Sequence, residues 1–316
     1  MKKRLLLSIL LFGYFATAQK NIENTDSLAG RFISDVRAGT TEKLFVQTNK
    51  NIFVAGEELW FKAWILNSLS HKYFSQSKTL YADLVNEKDS VLQIKHLLQM
   101  TSGMNFDEDY GNPLGFMAKA YYGKDLYKLV KGYELKHTPG TVHEYLGGNN
   151  LLLSITLQKV LGKSVSEYAE EKLWKKIGTE YPARWILDHE NGYEKSFTGF
   201  FATARDFAKI GKLWMQWGKF NGEQIVDSGF VAQAISPVGV PDTKNIICDY
   251  YGYAWWLTEF KGDKVFYMRG ILGQYVFCVP SKNLIVVRLG KDRSGMSNGI
   301  TPDDVAIYLQ QAYSFL

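Results

Sequence analysis

The stretch IKHLLQMTSG, residues 94–103, marks the point at which this chain changes its pattern. Upstream, short runs over residues 44–48, 59–66 and 79–85 are rich in apolar and aromatic residues and read as strands. In the second run Leu59, Phe61, Ala63 and Ile65 would face one way, and Trp60, Lys62, Trp64 and Leu66 the other. Asn86-Glu87-Lys88-Asp89 then makes a turn into a further short strand over residues 90–94.

Downstream the period becomes helical. Asn149 is placed to cap a helix over residues 150–161 that stops at Gly162, and Ser164-Val165-Ser166-Glu167 is a capping box for a second helix ending at Gly178. Thr203 with Asp206 opens a third, carried by Phe207, Ile210, Leu213 and Trp214 to Gly218. Strands follow over residues 253–258, 264–268, 274–279 and 284–289, and a last helix over residues 302–313. The fold class expected is α+β, an antiparallel sheet with helices, preceded by an incomplete all-β segment.

At 316 residues, 46% of them apolar and 15% aromatic, the chain has material for two domains and a sizeable core. Residues 1–18 read as a cleavable signal peptide: Lys2, Lys3 and Arg4 precede an apolar run over residues 5–15, and Ala16-Thr17-Ala18 supplies small residues for cleavage. A periplasmic or secreted protein beginning at Gln19 is expected, with no spanning segment after cleavage, since a spanning helix needs about 20 apolar residues. Losing the three basic residues takes the formal charge from +5 to +2, and the remaining Lys and Arg form no block, which argues against a nucleic-acid partner. Cys248 and Cys278 are the only cysteines; they read either as a disulfide or as two small core residues. The five histidines include no i, i+4 pair, and no metal or other cofactor is expected.

Several motifs, in this order, carry a family resemblance: His96-Leu97-Leu98 with Thr101-Ser102-Gly103, then Pro139-Gly140-Thr141 leading to Tyr145-Leu146-Gly147-Gly148-Asn149. Phe200-Phe201-Ala202-Thr203-Ala204-Arg205-Asp206 follows, then Tyr251-Gly252-Tyr253 before Trp255-Trp256, and Arg269-Gly270-Ile271-Leu272-Gly273-Gln274-Tyr275. Residues 94–316 thus resemble the serine beta-lactamase and penicillin-binding-protein-like hydrolases, with the N-terminal part of that domain missing. Residues 42–93 resemble part of a macroglobulin-like β-sandwich of Bacteroidetes envelope proteins, roughly half of a sandwich of about 100 residues. Residues 19–41 are read as a linker.

The resemblance implies acyl transfer on an amide, ester or lactam bond of a small molecule or peptide. A serine in Ser-x-x-Lys attacks the carbonyl, while the lysine and a tyrosine handle its proton, because a serine hydroxyl is a weak nucleophile without a base beside it. Tyr145 falls at that tyrosine position. Two residues on stands Gly147, where a polar partner is often found, with Asn149 as a nearby substitute. Where relatives carry Lys-Thr-Gly or His-x-Gly, this chain has Met268-Arg269-Gly270; Arg269 would face a carboxylate or solvent, and Gly270 and Gly273 would allow close approach of a substrate to the strand. The substrate-binding set expected is therefore Gly147, Asn149, Arg269, Gly270 and Gly273.

The nucleophile is the missing part. The sequence contains one Ser-x-x-Lys, Ser75-Gln76-Ser77-Lys78. It precedes a strand-like run, lies too near His96, and belongs to the sandwich pattern, so Ser75 and Lys78 are weak candidates. No Gly-x-Ser-x-Gly elbow is present, and Asp188-His189-Glu190 reads as a polar loop. The expectation is a hydrolase homologue without acyl-enzyme chemistry, or alternatively a non-catalytic envelope binding module with an envelope partner, or a pseudoenzyme that binds peptidoglycan-like peptides.

Overall fold

A computed structural model describes residues 92–132 and 134–316, together with the backbone of four earlier strands. The chain divides into two units, Met1–Asn86 and Glu87–Leu316. In the first, β1 (Leu6–Leu10) pairs antiparallel with β4 (Thr79–Asp83), and β2 (Glu42–Thr48) with β3 (Phe61–Asn67). Ser75, Lys78, Leu59 and Trp60 lie outside the described residues.

The second unit is built on a four-stranded antiparallel sheet in the order β12-β11-β10-β9, formed by β9 (Trp256–Phe260), β10 (Asp263–Arg269), β11 (Gln274–Val279) and β12 (Leu284–Leu289). Tyr267 lies opposite both Trp256 and Phe277, and Phe266 opposite Cys278. Side chains alternate between two faces. Val265, Tyr267, Tyr275, Phe277 and Val279 pack with Val305 and Leu309 of the last helix, Asp304–Tyr313. Phe266, Val276 and Cys278 pack on the other side with Phe207 and Trp214 of the helix Ala204–Met215. Gly211 permits that approach, because a Cβ there would stand 2.9 Å from the Cys278 sulfur.

A helical layer has its own core. It holds α1 (Ile94–Leu98), α2 (Phe116–Tyr122), α3 (Leu126–Lys131) and α4 (Gly147–Leu161), with Phe106, Phe116, Leu126, Leu146, Leu151 and Ile155 buried together. After α4 the Ser164 capping box opens α5 (Val165–Ala169), which runs on into a π-helical turn over Glu170–Trp174. In chain order, β5 (Arg184–Trp185) and β6 (Phe200–Phe201) then pair, the helix Ala204–Met215 becomes α6, β7 (Lys219–Phe220) pairs with β8 (Glu223–Gln224), and α7 (Ser228–Ala234) and α8 (Asp304–Tyr313) complete the unit. No described helix is long and apolar enough to cross a membrane.

Two expectations need correction, and the two open readings of the cysteines resolve to the core one. Ile94 begins a helix rather than ending a strand, with Gln93 and His96 forming a reciprocal cap. Asn149 is not a cap: α4 starts two residues earlier, at Gly147, and Asn149 is wholly buried within it. Cys248 and Cys278 are free thiols in different core clusters, and burial pushes both pKa values up.

Candidate functional site

The stretch over residues 94–103 works as a clamp for the segment that carries Tyr145. Its backbone accepts Gly140 N–H at the Thr101 carbonyl (2.7 Å), Glu144 N–H at the Met100 carbonyl (2.8 Å) and Lys136 N–H at the Gly103 carbonyl (2.7 Å). Inside this turn the Ser102 hydroxyl donates to Asn149 Oδ1 at 2.7 Å and accepts Met104 N–H at 3.3 Å. The other end of the Asn149 amide points at the Met100 sulfur, 3.3 Å away. Ser102 and Asn149 are both fully buried, so this pairing satisfies polar groups that would otherwise destabilise the core. The Thr-Ser-Gly motif thereby fixes the start of α4, and with it Tyr145.

Tyr145 sits on an aromatic floor. Its ring stacks on Trp256 with centroids 5.4 Å apart and meets Tyr251 edge-on at 6.0 Å. Burial raises the pKa of its phenol, the negative charge of Glu108 adds to that rise, and the guanidinium of Arg269 opposes it. Tyr145 is thus held neutral between one anion and one cation.

Glu108 comes from the loop between α1 and α2. Its Oε2 accepts Gly147 N–H at 2.7 Å, and its Oε1 accepts the Tyr110 hydroxyl at 2.8 Å. Burial raises its pKa, against the pull of those two donors. A first-turn N–H of α4, which has no partner within its own helix, is therefore satisfied from a distant segment. Arg269 closes the other side from the end of β10. Its guanidinium lies 3.2 Å from the centre of the Trp256 ring and donates to the Ile300 carbonyl at 2.7 Å. Tyr267, Arg293 and Tyr145 act on it, and it forms no ion pair to a carboxylate among the described residues.

The structure brings Tyr145, Gly147 and Arg269 of the expected set to one place. Asn149 points inward to Ser102. Gly270 and Gly273 shape the turn between β10 and β11: Gly270 N–H donates to the Gln274 carbonyl at 2.8 Å, and the Gln274 side chain accepts Leu272 N–H at 3.2 Å and donates to the Gly290 carbonyl at 2.5 Å. Gly273, at φ +76°, leaves room for the Arg288 guanidinium, which donates to its carbonyl. Asp188 is a buried acceptor for Leu126, His189 and Tyr193 N–H groups. Glu108 and Tyr110 escaped the sequence reading, since an acidic loop has no period, and the only clue to them would have been the bare backbone at Gly147.

A phenol before a helix, facing the end of a strand in a sheet flanked by helices, places the chain in the class of beta-lactamase and penicillin-binding-protein-like serine hydrolases. It belongs to the beta-lactamase family, whose profile matches residues 77–309. It is similar to the 6-aminohexanoate-dimer hydrolase of Paenarthrobacter ureafaciens, at 25% identity over 226 residues, covering 66% of this chain and 56% of that protein. Among solved structures, a Bacillus anthracis protein provisionally described as a 6-aminohexanoate-dimer hydrolase matches with a TM-score of 0.58 at 22% identity, covering 70% of this chain and 59% of the other. A family VIII carboxylesterase matches with a TM-score of 0.54 at 15% identity, covering 72% of each chain. These likenesses establish the fold; the chain spans little more than half the length of the first two relatives.

Proposed function

We propose that this chain is a beta-lactamase-family homologue that binds an amide, ester or lactam ligand, small molecule or peptide, against Tyr145 and Arg269 without forming an acyl-enzyme. One observation carries the reading: Tyr145 is held between Glu108 and Arg269 on an aromatic floor, while the only Ser-x-x-Lys in the chain belongs to the N-terminal unit. Arg269 would take a carboxylate or carbonyl oxygen of the ligand, since a guanidinium without a carboxylate partner is a ready donor. Gly270 would bring the strand end close to that ligand. In this reading no serine is supplied to Tyr145 from the described residues, so no acyl intermediate would form there and recognition would persist. An exported location follows from the leader-like residues 1–18, and an envelope-binding role for the strand-rich N-terminal unit is the alternative reading.

The test is to incubate the full chain with a fluorophosphonate and with a labelled beta-lactam, and to measure reversible binding of the same beta-lactam by equilibrium dialysis. Saturable binding lost in Arg269→Met, with no covalent adduct, is the expected result. A serine adduct by mass spectrometry refutes the non-covalent reading and directs attention to Ser75. Absence of both adduct and binding leaves the envelope-module reading.

A further inference from the structure

We infer that Glu108 sets the specificity of this site, and that it selects ligands presenting a primary ammonium group beside Tyr145. The inference rests on the ligand-binding reading above and deepens it.

A Cβ built at Gly147 would lie 3.2 Å from one Glu108 carboxylate oxygen and 3.5 Å from the other. The direction in which a side chain at position 147 would grow is therefore filled by Glu108, a residue from a separate loop. Gly147 N–H and the Tyr110 hydroxyl each engage a different oxygen of that carboxylate. An ionised carboxylate has about four acceptor sites and no donor, so two donors leave about half of its capacity unused. Asp107 and Glu144 both act on it as anions, although Glu144 is itself ion-paired with Lys136 at 2.6 Å. Glu108 is half-buried, hence open to a ligand yet incompletely solvated.

An amide side chain at such a place would serve either polarity of ligand, since it both donates and accepts. A carboxylate accepts only. A ligand carbonyl turned toward Glu108 meets repulsion, whereas an ammonium gains a charge-assisted bond to the unused acceptor sites of the carboxylate. Arg269 has the opposite polarity, so the pair orients the ligand: donor end to Glu108, acceptor end to Arg269, with Tyr145 between them.

The test measures binding of alanyl-alanine, free or N-acetylated and in both D and L forms, to the full chain and to Glu108→Gln by isothermal titration. Glutamine retains an acceptor for Gly147 N–H, so the variant should fold, which an unchanged melting temperature verifies. Glu108→Asp, which keeps the charge, serves as the second variant. The expected result is that the wild type binds the free-amine dipeptide about tenfold or more tightly than the acetylated one. Glu108→Gln should abolish this preference and Glu108→Asp should keep part of it. Equal binding of the two dipeptides by the wild type, or a preference that survives Glu108→Gln, overturns the assignment and leaves the ligand-binding reading standing. No binding of either dipeptide overturns both.

Discussion

Two residues before Tyr145, His143 makes the stability of this site depend on pH. Its side chain is 3% exposed, its ring lies edge-on to Tyr250 at 5.4 Å and tilted against Tyr251 at 5.3 Å, and Nε2 has no hydrogen-bond partner. Burial pulls its pKa from 6.5 to about 4, with the nearby Asp242 carboxylate working the other way. The sign follows from proton counting. Between those two values the unfolded chain holds a proton on this histidine and the folded chain does not, so stability falls as pH drops from 6.5 toward 4. A difference of about 2.5 pH units at about 1.4 kcal/mol each gives a loss of about 3.5 kcal/mol. Asp242 contributes in the same direction at lower pH. Its pKa is lowered, burial being outweighed by the N–H groups of Ile246 and Lys244 and the Tyr250 hydroxyl. The assay is urea unfolding at a series of pH values from 7.5 to 4.5 in the wild type and in His143→Phe, which replaces an unsatisfied imidazole with a ring of similar size. His96, whose pKa burial also lowers, retains its own share of the slope in both proteins. The variant should lose most of the remaining acid sensitivity. Equal slopes in the two proteins would refute the reasoning.

Other perturbations test the parts around Tyr145. Ser102→Ala leaves the Asn149 carbonyl and Met104 N–H without their buried partner, and should cost about 1–3 kcal/mol by denaturant melt. Gly148→Ala drives a Cβ into the Phe106 ring and should destabilise by about 1–3 kcal/mol, read as a lower melting temperature. Arg269→Met removes both the cation lying over Trp256 and the donor to the Ile300 carbonyl; tryptophan fluorescence should change and the melting temperature should fall by a few degrees. Tyr145→Phe should preserve the near-UV circular dichroism of the fold and weaken ligand binding by about tenfold, if its hydroxyl contributes one hydrogen bond.

Local signals were readable in the sequence, and long-range ones were not. The Ser164–Glu167 box and the Thr203–Asp206 cap place helix starts correctly because each is closed within three residues. Strands β10 to β12 were legible from their turns rather than from alternation. Tyr275–Val279 shows almost no period of two because β11 is an inner strand, with α8 over one face and α6 over the other, and all five side chains are buried. The start of α4 was misplaced for a different reason. A search for a local cap settles on Asn149, but the N–H that needs a partner belongs to Gly147, and its partner is Glu108. Asn149 is then free to pair with Ser102 instead. Nothing in a window of a few residues exposes either contact.

The proposed function would separate two tasks that a serine hydrolase performs together. The described residues that position Tyr145, from the Met100–Gly103 turn through Asn149 and Glu108 to Trp256 and Arg269, lie in the unit Glu87–Leu316. The clamp closes on itself: the turn holds the strand-like segment before Tyr145, Asn149 locks the helix after it, and the sheet supplies the floor. The Ser102–Asn149 and Gly147–Glu108 pairs satisfy buried polar groups of this wall and its rings pack on one another, so these contacts hold without a nucleophile. Loss of the serine would therefore remove bond-making while leaving recognition in place. Recognition would then be free to follow the charges that remain, with Glu108 and Arg269 on opposite sides of a neutral phenol.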